Sequence, residues 1–342
     1  MATAASVIVY GAYGHTGRFV VAELQRRGWR PIASGRDLGK LKQLTASTGG
    51  LSARAAAMDD ADALDRALHG TAAVLNCAGP FAATAVPLIE AALRTRIPYL
   101  DVAAEVEVAA ATFELYAVAA QKAGIVIVPS MAFYGGLGNL LATAALQDWT
   151  SADEIRIAYA LSSWKPTAGT RATIQTSRQR RGGRRLVYTN QQLEYRTDAA
   201  PMVDWTFPAP FGTQTVVGDF LTADSVTIPR HIDASDIRTW MTTAPLQDLS
   251  SSDPSPPIAT DASGRSSQQF VVDVVARRGS VERRAVASGR DIYAISAPLV
   301  VEAMERILHA KVAVMGVRAA GEVFDARDFL QALGTELRVD YS

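Results

Sequence analysis

Residues 6–37 read SVIVYGAYGHTGRFVVAELQRRGWRPIASGRD, and the order of these residues decides the fold. Ser6 to Tyr10 is a short β-branched, apolar run stopped by Gly11, the pattern of a buried strand. Gly11, Gly14 and Gly17 follow at G-x-x-G-x-x-G spacing, with Tyr13 and His15 inside the turn. Thr16 and Gly17 open a helix that carries Phe19, Val20 and Leu24 and closes at Gly28. A second strand, Arg30 to Ser34, ends at Gly35-Arg36. Glycines let the chain turn sharply and approach a ligand with no Cβ in the way. The free N–H groups at the helix start, backed by the helix dipole, hold a diphosphate. The third glycine lets the helix pack close on the strands. Strand, glycine turn, helix and strand thus form one βαβ unit built for a dinucleotide, with His15 flanking or contacting phosphate.

The end of the second strand selects the cofactor. A carboxylate there accepts the ribose 2′-hydroxyl of NAD, whereas an arginine meets the 2′-phosphate of NADP. This chain offers Ser34, Gly35 and Arg36, then Lys40 one turn into the next helix, and so reads as NADP(H)-binding. Asp37 fits as the N-cap of a helix over Leu38–Thr48. Asp59 lies at the end of a third strand (Leu51–Ala57), where it either meets an adenine edge or joins Asp60 in capping the helix Ala61–His69. The alternation continues with strands at Ala72–Cys77, Pro98–Val102 and Ile125–Val128 and helices at Thr84–Arg94 and Val106–Ala123. Six strands alternating with helices predict a doubly wound, parallel Rossmann sheet. Ligands in such sheets lie across the strands' carboxyl ends, which brings in Asn76, Cys77, Ala78, Gly79, Pro80 and Phe81. Asp101 and Glu105 follow the fifth strand and point to the same crevice.

Composition narrows the class. The 342 residues suffice for two domains. Lys plus Arg equals Asp plus Glu at 34 each, so nothing points to nucleic acid or an anionic membrane surface. The one cysteine cannot form an internal disulfide, in keeping with a reducing cytoplasm. MATAASVIVY lacks the basic start of a signal peptide, and no apolar run is long enough to span a bilayer.

The stretches NCAGPFAATAVPLIEAALRTRIPYLDVAAE, VPSMAFYGGLGNLLA and DIYAISAPLVVEAMERIL resemble the saccharopine dehydrogenase-like proteins. The first of these is similar to that family's C-x-G-P-F turn and Y-x-D-x-x-x-E loop. The resemblance implies a Rossmann domain, a second mixed α/β domain, a nicotinamide cofactor, a small-molecule substrate and a homodimer. Better-known members act on C–N bonds between amino acids and aldehydes; relatives described as trans-acting enoyl reductases act on C=C bonds. Where many members carry Asp-Pro-Gly this chain reads Tyr134-Gly135-Gly136, and counterparts of the residues that grip saccharopine's carboxylate arms are not evident.

The middle of the chain changes character. Ala152–Leu161 alternates as a half-buried strand does. Thr170–Arg178 reads as a helix. Short runs at Leu186–Tyr188, Gln192–Tyr195, Trp205–Phe207, Val216–Leu221 and Ser225–Ile228 read as strands. Gln269–Arg277 and Val281–Ser288 form a hairpin at Gly279-Ser280. The second domain is therefore a mixed, mostly antiparallel α+β unit. Arg178–Arg185 (RQRRGGRR) reads either as a solvated loop or as a clamp for an anion. Ser250–Ser267 reads as an exposed loop. Helices at Ile295–Leu308 and Phe324–Leu333 are expected to return to the first domain, giving residues 1–132 with 296–342 and a substrate and dimerisation domain at 133–295.

Candidate groups for chemistry are Tyr134 as proton donor or substrate contact, Asp101 and Glu105 as orienting carboxylates or loop braces, His231, and Lys165. The four scattered histidines and single cysteine show no metal-ligand spacing. A Y-x-x-x-K pair after the fourth strand, as in short-chain dehydrogenases, is absent. The reading is an NADP(H)-dependent oxidoreductase acting on an imine or related unsaturated group. Enoyl or ketone reduction and a non-catalytic NADPH-binding regulator are its alternatives.

Overall fold

The computed structural model describes residues 5–250, 253, 255–309 and 314–342. The first segment alternates strictly. In order come β1 (Ser6–Tyr10), α1 (His15–Arg26), β2 (Arg30–Gly35), α2 (Leu38–Ser47), β3 (Ser52–Ala55) and α3 (Ala61–Leu68). Then follow β4 (Ala73–Asn76), α4 (Phe81–Thr95), β5 (Tyr99–Asp101), α5 (Val106–Ala123) and β6 (Val126–Val128). Val7, Ile8 and Val9 are wholly buried, as in a strand covered on both faces.

The chain continues through α6 (Gly138–Leu146), β7 (Ser151–Leu161), α7 (Ala168–Arg181), β8 (Arg185–Thr189), β9 (Gln192–Arg196), β10 (Met202–Thr206) and β11 (Thr213–Gly218). Next are α8 (Asp224–Thr227), β12 (Asp233–Thr242), α9 (Thr243–Ser250), β13 (Gln269–Arg278) and β14 (Val281–Arg290). The end holds α10 (Ser296–Leu308), β15 (Gly316–Val317), α11 (Ala320–Val323), α12 (Ala326–Ala332) and β16 (Leu337–Tyr341).

Two compact units result. The first comprises residues 1–132 and 296–318, the second 133–295 and 319–342. In the first, seven strands lie in the order β3-β2-β1-β4-β5-β6-β15, and every pair in it is parallel. Strand order reverses between β1 and β4, where Tyr10 pairs with Asn76. That switch point is where doubly wound sheets take their ligand. The second unit holds a nine-stranded sheet whose main path is β10-β11-β12-β7-β13-β14-β16. β7 and β12 run parallel; the other pairs are antiparallel. The Gly279-Ser280 hairpin joins β13 to β14 as read from sequence.

Several expectations change. Ser225–Ile228, read as a strand, is instead a helical turn, α8, running into a 3-10 turn at Ile228–Arg230. Its β-branched residues are buried by tertiary contacts that override local propensity, and Pro229 sits where a first turn tolerates it. The basic run is no loop. Arg178, Arg180 and Arg181 form the last turn of α7, Gly182 is its left-handed cap, and Arg185 begins β8. Arg184 lies over the Tyr195 ring at 4.3 Å, and Arg185 pairs with Asp198 at 2.9 Å. The tail divides: α10 and β15 lie in the first unit, while α11, α12 and β16 lie in the second, where β16 pairs with β14. Of the Ser250–Ser267 stretch, residues 251, 252 and 254 lie outside the described residues; 255–260 have no regular structure and Ile258 is exposed.

The return of α10 to the first unit is fixed by charge. Arg27 Nη1 reaches Glu302 at 2.6 Å and Glu305 at 2.5 Å, and its Nε reaches Glu23 at 2.6 Å. Trp29 Nε1 donates to Glu305 at 2.6 Å. Burial acts to raise the Glu23 and Glu302 carboxyls, but the arginines around them hold both below the usual range. Their folded pKa values lie below the unfolded ones, so this stability is present above about pH 4.5 and lost as pH falls through the folded values. Arg27→Ala leaves Glu305 without a cation, while Glu23 keeps Arg26 and Glu302 keeps Arg306, and should cost about 2 kcal/mol, read as a lower urea midpoint at pH 7. A midpoint within error of the parent would show that α10 is held by apolar packing alone.

Candidate active site

The glycine turn is built by contact. Gly11 has φ +81 and donates to Ser34 O at 2.8 Å. A Cβ on Gly11 would stand 2.9 Å from the Ala78 backbone and side chain. On Gly14 it would approach the Gly11 carbonyl at 3.1 Å. On Gly17 it would collide with that same carbonyl and lie 2.9 Å from Ala12 Cα. The turn therefore has its backbone bare where α1 begins, and Gly14, in the N-cap position, brings no side chain to cap the first amides. A cradle that any Cβ would fill, at a helix start, fits a diphosphate.

Beyond β2 the surroundings turn cationic. Ser34 does not face a ligand: its buried hydroxyl donates to Arg54 O at 2.7 Å, and its carbonyl accepts Gly11 N. Arg36 is exposed. Asp37 caps α2 by accepting Lys40 N at 3.0 Å, as the N-cap reading expected. Lys40 Nζ stands 5.7 Å from the Tyr13 ring centre, and the Tyr13 ring lies on Gly35, whose Cβ would meet it at 2.7 Å. The Tyr10 phenol, bonded to Ala56 O at 2.8 Å, is pushed up to about 12 by burial and by Tyr13, with Arg36 opposing and Asp59 adding. Tyr13, Arg36 and Asp59 thus gather round one point. The cap of α3 is Asp60, which accepts Ala63 N at 2.8 Å; Asp59 is exposed beside it.

At the carboxyl ends of β4, β5 and β6 a buried polar chain holds the loops. Thr84 Oγ1 donates to Ala78 O at 2.6 Å, and Asn76 Nδ2 donates to Thr84 at 3.2 Å and to Tyr99 at 3.1 Å. Tyr99 donates to Asp101 Oδ2 at 2.9 Å, while Asp101 Oδ1 accepts Ser130 N at 2.8 Å and Ala103 N at 3.0 Å. Burial raises the Asp101 carboxyl, opposed by these bonds. Glu105 accepts the first amides of α4, Phe81 N at 2.7 Å and Ala82 N at 3.0 Å. That cap from outside starts α4 three residues earlier than Thr84. Asp101 and Glu105 are therefore engaged as loop braces. Gly79-Pro80 is a cis peptide, Gly79 is exposed, and burial pushes the Cys77 thiol up. Ser130, which sequence reasoning did not single out, has φ +58, and its buried hydroxyl has no hydrogen-bond partner among the described residues.

In the second unit Tyr134 is 8% exposed, and its hydroxyl has no hydrogen-bond partner among the described residues. The rings of Phe133, Tyr159, Trp164 and Phe220 surround it at 4.8, 5.0, 5.7 and 5.8 Å. Burial, Tyr293 and Asp224 hold its phenol well above the ordinary value. Tyr159 donates to Asp224 Oδ2 at 2.7 Å. Asp224 is wholly buried and its carboxyl is raised by desolvation. Sequence reading passed over Asp224, although a lone carboxylate inside the largely uncharged stretch FLTADSVTIP was its signal. His231 Nε2 is 2.9 Å from Thr143 Oγ1, and burial lowers its ring to about 4. Lys165 pairs with Asp253 at 2.9 Å on the surface. No group of three or more potential metal ligands occurs among the described residues. No helix among them is long and apolar enough to cross a membrane.

Residues 7–128 match the family model described as saccharopine dehydrogenase NADP binding domain. This part of the chain is an NADP-binding domain similar to that of saccharopine dehydrogenases. Among solved structures, an apo histidine-tagged saccharopine dehydrogenase (L-Glu forming) from Saccharomyces cerevisiae is similar in fold, with TM-score 0.68 and 12% identity. That match covers 99% of this chain and 100% of the yeast one. A short-chain dehydrogenase/reductase from Vibrio parahaemolyticus matches 36% of this chain and 76% of its own length, at 11% identity and TM-score 0.32. No curated protein matches the sequence. The glycine turn of this domain, with Arg36 and Lys40 beyond β2, fits NADP(H), the cofactor named for the matched domain.

Two outcomes follow from this geometry. Gly17→Ala forces a methyl into the Gly11 carbonyl and should abolish NADPH binding, measured by fluorescence titration; retained affinity would mean that the turn does not hold the diphosphate. His231 has a folded value below its unfolded one, so the unfolded chain binds the proton first. Its contribution is intact above about pH 6.5, falls between pH 6.5 and about 4, and is flat below. Over that window the loss should approach about 3 kcal/mol, and His231→Asn should flatten the slope of urea stability against pH.

Proposed function

We propose that the chain reduces a C=N bond in a small metabolite with hydride from NADPH, and that Tyr134 contacts the substrate. The observation that carries this is the state of the candidate proton donors. Asp101 and Glu105 hold backbone amides, and His231 is kept neutral against Thr143. Tyr134 remains, a phenol held above its ordinary value beside a carboxyl and another phenol. Ketone and enone reduction need an acid ready to give up a proton in the transition state, usually a group tuned down toward the working pH. An iminium arrives with its proton and needs only binding and orientation. The yeast protein of similar fold is a saccharopine dehydrogenase, a precedent for C–N chemistry on this fold. The resemblance extends the proposal to a homodimer.

The exposed Arg36, with Lys40 one turn on, supports assignment of the extra adenosine phosphate to this end of the turn. Arg36→Ala should weaken NADPH by about 10–100-fold, the worth of roughly 1.5–3 kcal/mol for a charged hydrogen bond, and leave NADH nearly unchanged. Equal weakening of both would overturn that assignment. Oxidation of NADPH followed across panels of cyclic imines, enones and ketones tests the reaction. Imine turnover that falls less than about tenfold in Tyr134→Phe is expected. Turnover restricted to enones or ketones and abolished in Tyr134→Phe would replace the C=N reading.

A further inference from the structure

Two buried polar groups in the second unit lack what their surroundings ordinarily supply. The Tyr134 hydroxyl has no hydrogen-bond partner, and Asp224 has no ion-pair partner, among the described residues. Asp224 Oδ2 takes the Tyr159 hydroxyl, and its Oδ1 lies directly against Gly138, where a Cβ would collide with it. A buried carboxyl without a cation and a buried phenol without a partner are each unfavourable unless something completes them. Both belong to one cluster: Tyr134 touches Tyr159, Trp164 and Phe220, and Trp164 touches Phe220 at 6.2 Å. Phe220 and Tyr293 at the cluster's edge are partly exposed, whereas Tyr134, Tyr159, Trp164 and Asp224 are buried. Tyr293 accepts the Trp164 indole N–H at 3.1 Å, which fixes the plane of that ring.

We propose that Tyr134, Tyr159, Trp164, Phe220 and Asp224 form a receptor for a small organic cation, the iminium or protonated amine of the substrate. This rests on the C=N reading above and names the substrate class as cationic. Aromatic faces attract a cation through their quadrupoles, most strongly where water is excluded. The Asp224 carboxyl, raised by burial when the cluster is empty, gives its proton to solvent as the cation enters and then supplies the counter-charge, and the Tyr134 oxygen accepts an N–H of the guest. A neutral enone or ketone would leave the Asp224 carboxyl in its protonated form and draw no binding energy from its charge.

The test uses the full chain loaded with NADP+ and two probes of nearly equal shape, benzylammonium and benzyl alcohol, titrated by calorimetry. Benzylammonium should bind at least about tenfold tighter. Asp224→Asn, which keeps the shape and the Tyr159 contact, should erase that preference with NADP+ affinity unchanged. Equal binding of the two probes, or a preference that survives Asp224→Asn, overturns the receptor. Should Asp224→Asn fail to fold, Trp164→Leu decides, since removing that ring face must lower the preference by about threefold or more. Imine turnover without the ammonium preference overturns the receptor and leaves the C=N reading standing. The preference without imine turnover supports the receptor and overturns that reading.

Discussion

The first unit depends on one close approach, that of the Gly11 carbonyl to the α-carbons of Gly14 and Gly17. Three segments meet there: the end of β1, the start of α1, and Ala78 just past β4. No side chain larger than hydrogen fits at Gly11 or Gly17, so the helix can lie this close to the sheet only with glycine at both. Ser34 O accepts Gly11 N and binds β2 into the same knot. The consequence is chemical. Bare amides face outward at a helix start, where an anion finds both donors and dipole. The packing that fixes the fold and the surface suited to a diphosphate are the same atoms.

The carboxyl edge of the sheet shows a second economy. Its acidic groups, Asp101 and Glu105, lie inward and are satisfied by amides, a phenol and a helix start. A carboxylate that accepts several N–H bonds is held in place by its charge and contributes little field outside. Arg36 and Lys40 are left exposed beyond β2, away from those acids, with Asp37 3.8 Å from Lys40 and Asp59 exposed nearby. Binding of an anionic cofactor would therefore not be resisted by Asp101 and Glu105.

The βα alternation was legible because a buried parallel strand is a continuous apolar run and each helix here starts and stops with recognisable residues, Asp37, Asp60 and Gly124 among them. What escaped is non-local. The start of α4 is set by Glu105, twenty-odd residues downstream, so no local signal marks Phe81. α8 reads as a strand from SVTI because burial on all sides, and not periodicity, shapes it. β12 and β16 escaped too: DASDIRTWMT mixes polar and apolar residues without the clean alternation of β7, and pairing to β7 and β14 across long sequence gaps makes them strands. At the site, glycines carry their role in their spacing. Asp101 and Glu105 do not, since a carboxylate near a crevice and one folded under it read alike. Asp224 stood out only as a lone carboxylate in FLTADSVTIP, and its surroundings lie in the rings that the fold brings to it.

The two units treat buried polarity differently. In the first, the chain from Thr84 through Asn76 and Tyr99 to Asp101 closes on backbone groups, with the Ser130 hydroxyl its loose end. In the second, Tyr134 Oη, Asn139 Nδ2 and Asp224 Oδ1 all lack hydrogen-bond partners among the described residues. Each such atom costs about 1–3 kcal/mol against a satisfied one, and together they rival a large part of a domain's net stability. Apolar residues of similar size at these positions would remove that cost. A fold that keeps them is organised less for its own stability than for a guest that completes them, and the proposed cation would do so at Asp224, whose buried carboxyl is raised toward its protonated form and becomes a counter-charge only beside a positive group.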